Sequence, residues 1–373
     1  MYFQYTLNDL QERSSKKEFS YITFFAGGGG SSCGYKLAGG DVRYMNEFQQ
    51  IHVDTYLKNF PNTVHECKDI KQVTGKGIME LTGLKPYELD LLDGSPPCPP
   101  FSMAGTKREG WEQEKIAYGM KQQNIEDLTW EQIRIAGDLM PKVIVCENVK
   151  GLSSHDKGKT AEVIKDTLRV LGYSVFWNIL NTSKLTNVPQ NRERTIIVGF
   201  RDEAGWEDSK DMEFPLASTN FDAIYPPKNK KRNRSIRDLL ETDVDEKYYY
   251  GPDKYMYKEL KASMKNPETA YQWRRKYVRE NQSNEMFTLT ANMGTGGHNV
   301  PLIIDDKGFR KLTPRECFNF QGFPKSFKLP TDVADGQLYK QAGNAVTVPL
   351  MKLIGSKIKI ALESKYSSSL TKV

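Results

Sequence analysis

The chain is poor in the residues that build metal centres and covalent staples. Its 373 residues hold five cysteines and four histidines. The cysteines (Cys33, Cys67, Cys98, Cys146, Cys317) are scattered and never form a C-x-x-C pair, which argues against a structural zinc site and against a disulfide framework. The histidines (His52, His65, His155, His298) are equally dispersed, so no metal is expected. No run of eighteen apolar residues occurs, which excludes a membrane-spanning helix. The opening MYFQYTLNDLQERSSKK lacks the basic-then-apolar order of a signal peptide, and a reducing cytoplasm is the expected compartment. No internal repeat, low-complexity tract or heptad seam is visible, and a monomer is expected. The net charge of +6 is too mild to imply a nucleic-acid partner by itself.

What the chain does have is alternation. Short apolar runs bounded by Gly, Pro or Asn, namely YITFFA (21–26), VRYMNE (42–47), ELDLLDG (88–94), KVIVCENV (142–149), YSVFWNIL (173–180) and RTIIVGF (194–200), read as strands. Between them GYKLAG, HVDTYLKNF, DLTWEQIRIAGDLM and TAEVIKDTLRVLG carry helical spacing. The pattern predicts an α/β fold with a mainly parallel sheet covered by helices. From about residue 201 the chain turns polar, tyrosine-rich and irregular, with a weak helix at SIRDLLE and a glycine-rich turn in ANMGTGGHN. A helix-like end, AVTVPLMKLIGSKIKIALESK, is expected to pack back on the first domain. The expected division is therefore 1–200 with 335–373 as the larger domain and 201–334 as a smaller one.

Chemistry collects at the predicted strand ends. Gly27, Gly28, Gly29 and Gly30 directly follow the first strand and precede a helix, a turn that lets a ligand approach the backbone. Glu47, about twenty residues on, is placed to hold ribose hydroxyls, and Asp69, after a third strand, to accept from an adenine amino group. These features point to an adenosine-containing cofactor but do not choose among NAD, FAD and S-adenosylmethionine. At the reacting end, Cys98 stands between Pro96-Pro97 and Pro99-Pro100, in a stiff loop that can neither continue a strand nor start a helix. Glu147 ends the next strand in ENV, and PQNRER adds Gln190, Arg192 and Arg194 before another. Taken singly, each has a plain structural explanation: a small buried thiol, a helix cap, a polar surface run.

Together FAGGGG, PPC, ENV, QNRER, RKLTPREC and QAGNAVTVP, in this order from Phe25 to Pro349, resemble the motifs of DNA (cytosine-5) methyltransferases of bacterial or phage type. The resemblance implies a Rossmann-like S-adenosylmethionine-dependent methyltransferase domain, with 201–334 as an irregular target recognition domain. It assigns Cys98 as the thiolate that adds to carbon 6 of cytosine, Glu147 as the partner of N3 and the exocyclic amine, and Arg194 as the residue on the O2 side, supported by Arg192 and Gln190. For the cofactor it implies Phe25, the turn Gly27 to Gly30, Glu47, Phe48, Asp69, Ile70, Pro97 and Asn344. For double-stranded DNA it implies Ser102, Gln190, Thr288, Thr290 and the basic runs KNKKRNR (Lys228, Lys230, Lys231, Arg232, Arg234) and WRRKYVR (Arg274, Arg275). A restriction endonuclease acting on the same site is a candidate partner, and the nucleoid the place of action. The segment after SMAG is longer than the family pattern and lacks a clear match, and KDI stands where glycine commonly precedes the Asp.

Three other readings remain at this level: RNA methylation within the same fold, a catalytically silent DNA-binding protein, and a nicotinamide dehydrogenase. Intact Cys98, Glu147 and Arg194 argue against silence. The dehydrogenase leaves PPC, ENV and QNRER without a role.

Overall fold

The apolar runs pair into one seven-stranded sheet in a computed structural model that describes residues 5–96, 116–117, 120–121, 127–201 and 235–366. Its strands are β1 (Phe19–Phe24), β2 (Gly40–Glu47), β3 (His65–Cys67), β4 (Leu91–Gly94), β7 (Val143–Val149), β8 (Tyr173–Asn181) and β9 (Glu193–Arg201). The two-residue strands β5 (Ile116–Ala117) and β6 (Met120–Lys121) pair separately. The large sheet runs in the order β3-β2-β1-β4-β7-β9-β8. The first five neighbours are parallel, and β9 is antiparallel to both β7 and β8.

Both faces are covered, which explains why the strands read as continuous apolar runs rather than alternating ones. On one face Phe19, Tyr21, Val143, Val145, Ile196 and Val198 pack against Tyr35 of α2 (Gly30–Leu37) and Met351 and Ile354 of the last helix. On the other, Ile22, Phe24, Ile144 and Ile197 meet Ile78 of α4 (Gly75–Thr82), Ile133 of α5 (Asp127–Leu139) and Leu168 of α6 (Lys159–Val170). Two helices of the first domain lie outside the helical spacings read from the sequence: α1 (Leu7–Ser14), held by a Thr6–Asp9 capping box, and α4, capped by Thr74 and ended by Gly83 at φ +72°. At eight residues each, they are too short for the apolar period to stand out. Helix α3 (Gln50–Asn59) follows β2, and α7 (Thr182–Leu185) follows β8.

The stretch expected to be irregular contains a four-stranded antiparallel sheet. Its strands are β10 (Tyr271–Trp273), β11 (Val278–Glu280), β12 (Val300–Asp305) and β13 (Gly308–Lys311), in the order β11-β10-β12-β13. Strands of three to six residues leave little periodicity to read. Met256, Leu260 and Met264, in and beside α8 (Tyr257–Ser263), cover it together with Tyr271, Trp273, Val300 and Leu302. SIRDLLE forms a short 3-10 turn, Ile236–Leu239.

After β13 come α9 (Pro314–Phe320), α10 (Asp335–Asn344) and α11 (Val348–Tyr366). Helix α11 does return to the sheet, close on α2: a methyl group on Gly34 would meet Cβ of Met351 at 2.5 Å. Residues 312–327 share a hydrophobic cluster with residues 7–60, where Phe60 and Phe327 lie edge to face with centroids 6.5 Å apart. Asn59 also bonds Lys328 through both its amide nitrogen and its oxygen. Among the described residues no helix is long and apolar enough to cross a membrane, and no cluster of metal ligands occurs.

Candidate active site

A cavity of about 600 Å3 opens at the carboxyl ends of β1, β2, β4 and β7, where a parallel sheet leaves room for a ligand. Its first wall is the turn between β1 and α2. Phe25 (φ +55°) and Gly27 (φ +52°) both take the left-handed conformation, which is strained for phenylalanine and free for glycine. Both line the cavity, as do Gly28 and Gly30, while Gly29 stands behind them against the Tyr56 ring. A methyl group on Gly30 would strike the carbonyl of Val346, so that glycine is required by the close approach of the C-terminal segment.

Glu47, at the end of β2, is nearly buried and ties this turn down. Its carboxylate accepts N–H bonds from Gly27 at 2.8 Å and from Phe48 and Gln49 at 2.9 Å each. Burial by itself would raise its pKa, but His52, whose Nδ1 lies 3.5 Å away, and the backbone donors outweigh that and hold it below the usual carboxylate value. Phe48 lines the cavity with its ring half exposed. Asp69 and the buried Ile70 stand on the same wall, Asp69 fixed by the N–H of Lys71 at 3.0 Å. Asn344, the last residue of α10, closes the cavity from far along the chain.

The opposite wall carries a buried ion pair. Glu147 on β7 lies 3.0 Å from Nε of Arg194 on the neighbouring strand β9. Burial pushes the Glu147 carboxyl above its usual value, and Arg194 and Arg192 partly counter it. Arg192 is itself wholly buried. Its guanidinium donates to the carbonyls of Leu289, Gly343 and Ala345, tying its own strand entry to two other segments that border the cavity.

Residues 286–290 are laced onto residues 189–191, which lead into Arg192 and β9. Met286 N–H donates to Pro189, Asn191 N–H donates back to Met286, and the Thr288 hydroxyl donates to the Asn191 carbonyl at 2.6 Å. This brings Thr288 and Thr290 to the cavity rim. Gln190, expected among the DNA contacts, is instead fully buried: its amide donates to the Phe320 carbonyl and accepts from Leu289 N–H. It acts here as an internal strut, because exposing that amide would leave both groups unpaired.

The family model for C-5 cytosine-specific DNA methylases matches residues 19–360. The chain belongs to that family. A type II methyltransferase of Bacillus sp. (strain RFL6), M.Bsp6I, is 41% identical over 340 residues, which covers 90% of this chain and 97% of the relative. The DNA-cytosine methyltransferase of Escherichia coli K12 is 31% identical, covering 92% of this chain and 79% of the relative. Among solved structures, a mutant of Spodoptera frugiperda DNMT2 superposes with a TM-score of 0.67 at 20% identity, covering 91% of this chain and 99% of that one. The Dnmt2 methyltransferase of S. pombe gives 0.65 at 18% identity, covering 92% and 98%. This C-5 cytosine-specific DNA methylase therefore has the Rossmann-like methyltransferase fold that the family resemblance implied, and it is a DNA cytosine methyltransferase.

In this methylase several expected site residues lie outside the described residues: Pro97, Cys98 and Ser102, and Lys228, Lys230, Lys231, Arg232 and Arg234. Arg274 and Arg275 sit in the tight loop between β10 and β11. Arg275 is exposed, and Arg274 is held by Asn299 at 2.9 Å and Gln272 at 3.2 Å. The cavity also holds residues that motif reading passed over, among them Ser31, His52, Ser95, Asn292 and Gln341. Gln341 lay inside QAGNAVTVP and was within reach. His52 lies five residues after Glu47, one turn into α3, and nothing in the sequence alone turns its ring toward that carboxylate.

Proposed function

We propose that this methyltransferase uses S-adenosylmethionine to methylate carbon 5 of a flipped-out cytosine in a specific double-stranded DNA sequence, through a covalent bond between Cys98 and carbon 6. The carrying observation is that Glu47 and the Glu147–Arg194 pair line one cavity, so an adenosine-binding carboxylate and a base-binding carboxylate face the same space. The cavity suits the cofactor: Glu47 is ionised with its donors on the backbone side, no Cβ crowds Gly27, and the half-exposed Phe48 ring is available to cover a purine. Phe25, Gly27 to Gly30, Glu47, Phe48, Asp69, Ile70, Pro97 and Asn344 would hold it. The bound sulfonium supplies the electrophilic methyl group.

Carbon 5 of cytosine is a weak nucleophile, and addition of the Cys98 thiolate at carbon 6 makes it enamine-like. Glu147, with its affinity for a proton raised by burial, would bond N3 and the exocyclic amine, where charge develops as the thiolate adds. Arg194 would orient Glu147 and meet the O2 side. Arg192 supports both by fixing the backbone around the cavity. Carbon 5 then takes the methyl group, forming a carbon–carbon bond as the bond from methyl to sulfur breaks; a base removes the carbon 5 proton and the thiolate leaves. Since carbon 6 and the methyl donor must both reach the ring, the cytosine cannot remain stacked.

Residues 201–334 would form the target recognition domain, with Thr288, Thr290, Arg274, Arg275 and the 228–234 run on DNA and Ser102 beside the nucleophile. The type II names of the relatives support pairing with a restriction endonuclease of the same specificity, and the enzyme is read as a monomer acting on nucleoid DNA in the cytoplasm. The test is transfer of labelled methyl from S-adenosylmethionine to unmethylated genomic DNA and, separately, to tRNA, followed by bisulfite sequencing. Label in DNA at one sequence, abolished by Cys98→Ser with S-adenosylhomocysteine binding intact, is the expected result. Label confined to tRNA, or retained at full rate by Cys98→Ser, would overturn it.

A further inference from the structure

Directly behind the cavity, two residues before its lining residue Ser95, lies a carboxyl group that the proposed chemistry does not use. Asp93 is the third residue of β4, paired with Thr23 of β1 on one side and Val145 of β7 on the other. Its side chain is wholly buried, and among the described residues it has no cationic partner. Three hydroxyls surround it instead. Thr23 Oγ1 donates to Oδ2 at 3.0 Å, Tyr35 Oη donates to Oδ1 at 2.9 Å, and the Ser31 hydroxyl bonds it as well. Ser31 and Tyr35 belong to α2, the helix opened by the glycine turn, and Ser31 itself lines the cavity.

We propose that Asp93 is a positioning residue for methyl transfer: its carboxylate locks the N-terminal half of α2, on the cofactor side, to the carboxyl end of β4, the strand that precedes Cys98 in the chain. The flanking residues make this junction unforgiving. A methyl group on Gly94 would strike the Gln132 amide from α5, and the next two residues, Ser95 and Pro96, already face the cavity, with Cys98 two further on. An apolar side chain at 93 would suit the surrounding core, as Leu91 and Leu92 do, and would avoid desolvating a charge. A carboxylate here costs stability, and what it adds is the ability to accept from three donors on two elements at once.

Its charge state falls within the working range. Burial raises the Asp93 carboxyl to about 7, against the lowering effect of Tyr35, Thr23 and Ser31, and Glu147 raises it further. The titratable groups that feel it are Tyr21 on β1, Tyr35 on α2, and Cys146 and Glu147 on β7, with Arg192 and Arg194 beyond Glu147. When protonated, Asp93 must donate to one of its own donors, reversing that bond and loosening the lock. Because its value is raised above that of the unfolded chain, Asp93's contribution to stability is full below its ordinary value of 3.8 and is lost as pH rises through about 7.

The test is the ratio of wild-type to Asp93→Asn turnover from pH 5.5 to 9 in the same DNA methylation assay. Titrations common to both proteins cancel in this ratio. We expect a ratio near one at low pH that climbs through neutrality to at least tenfold, an S-adenosylhomocysteine affinity changed less than threefold, and a melting temperature at pH 8 no lower than wild type. A second variant, Tyr35→Phe, removes one donor and should move the climb of its own turnover to higher pH, with recovery at pH 9. A ratio of one throughout, a pH-independent ratio, or a Tyr35→Phe profile that superposes on wild type would overturn the proposal. Methyl transfer by the wild type in the same assay tests the underlying activity separately.

Discussion

At the scale of single residues, two carboxylates of similar burial are driven in opposite directions by what surrounds them. Glu47 faces three backbone N–H groups and His52 and is held ionised, whereas for Glu147 burial outweighs Arg194, Arg192 and the Ser95 hydroxyl and it holds its proton more tightly. The difference follows from donor count, and it separates a group fit to accept from hydroxyls from one fit to meet a ring nitrogen. Glu47→Ala should strand three N–H groups and cost about 3 kcal/mol near neutral pH, at the low end of about 1–3 kcal/mol for each unpaired group because Gly27, Phe48 and Gln49 border the cavity. Because the folded-state value of Glu47 is depressed, its contribution is present above about 4.5 and lost as pH falls through the folded value. Thermal melts of wild type and Glu47→Ala should therefore diverge most near neutral pH and draw together as pH falls below 4.5; a constant gap would contradict this account. The sequence marked Glu47 and Glu147 by spacing. It could not show the environments that set them apart, since His52, Arg194 and Ser95 come from different elements.

Among elements, the decisive contact is α2 on α11. Helix α2 carries the glycine turn, and Gly34 on its far side admits the backbone of α11 at Met351. Gly34→Ala should force the helices apart and lower stability by about 1–3 kcal/mol, as overpacked cores do. Since the turn moves with α2, S-adenosylhomocysteine binding measured by calorimetry should weaken at least fivefold, and unchanged affinity in a destabilised protein would dissociate the turn from its support. The six strands and four helices expected in the first 200 residues were legible because each is long enough, or apolar enough, to show its period. The four-stranded sheet was not, because β10 and β11 have three residues each and are completed by β12, some twenty residues further along the chain. Gln190 belongs to the same lesson. A polar residue in a Q-x-R-x-R run looks like surface until residues 286–290 and 320–321 close over it.

For the molecule as a whole, charge is distributed so that its mild net excess understates its effect. The β10–β11 loop presents Arg275 and Lys276 to solvent, with Arg274 beside them anchored through Asn299. Surface cations that neutralise phosphates act through counterion release, and each is worth about 0.9 in the slope of log K against log salt. The double variant Arg275→Ala/Lys276→Ala should bind specific and random duplexes more weakly by similar factors and reduce that slope by about 2. Loss of discrimination without change in slope would instead place these residues in base readout.

The sequence by itself determined the α/β class, the family, and where the glycine turn and the two carboxylates fall relative to the strands, because those depend on local backbone demands and on motif order. Only the tertiary structure decided which residues line one cavity. Glu47 and Asn344, or Arg192 and Gly343, are separated by hundreds of residues or by whole elements, and their approach is set by how a sheet, two helices and a returning C-terminal segment pack. The same packing decided the surroundings of Asp93. In the chain it is one acidic residue before a glycine; in the fold three hydroxyls from two elements converge on it, and burial supplies the low dielectric that brings its titration to neutrality.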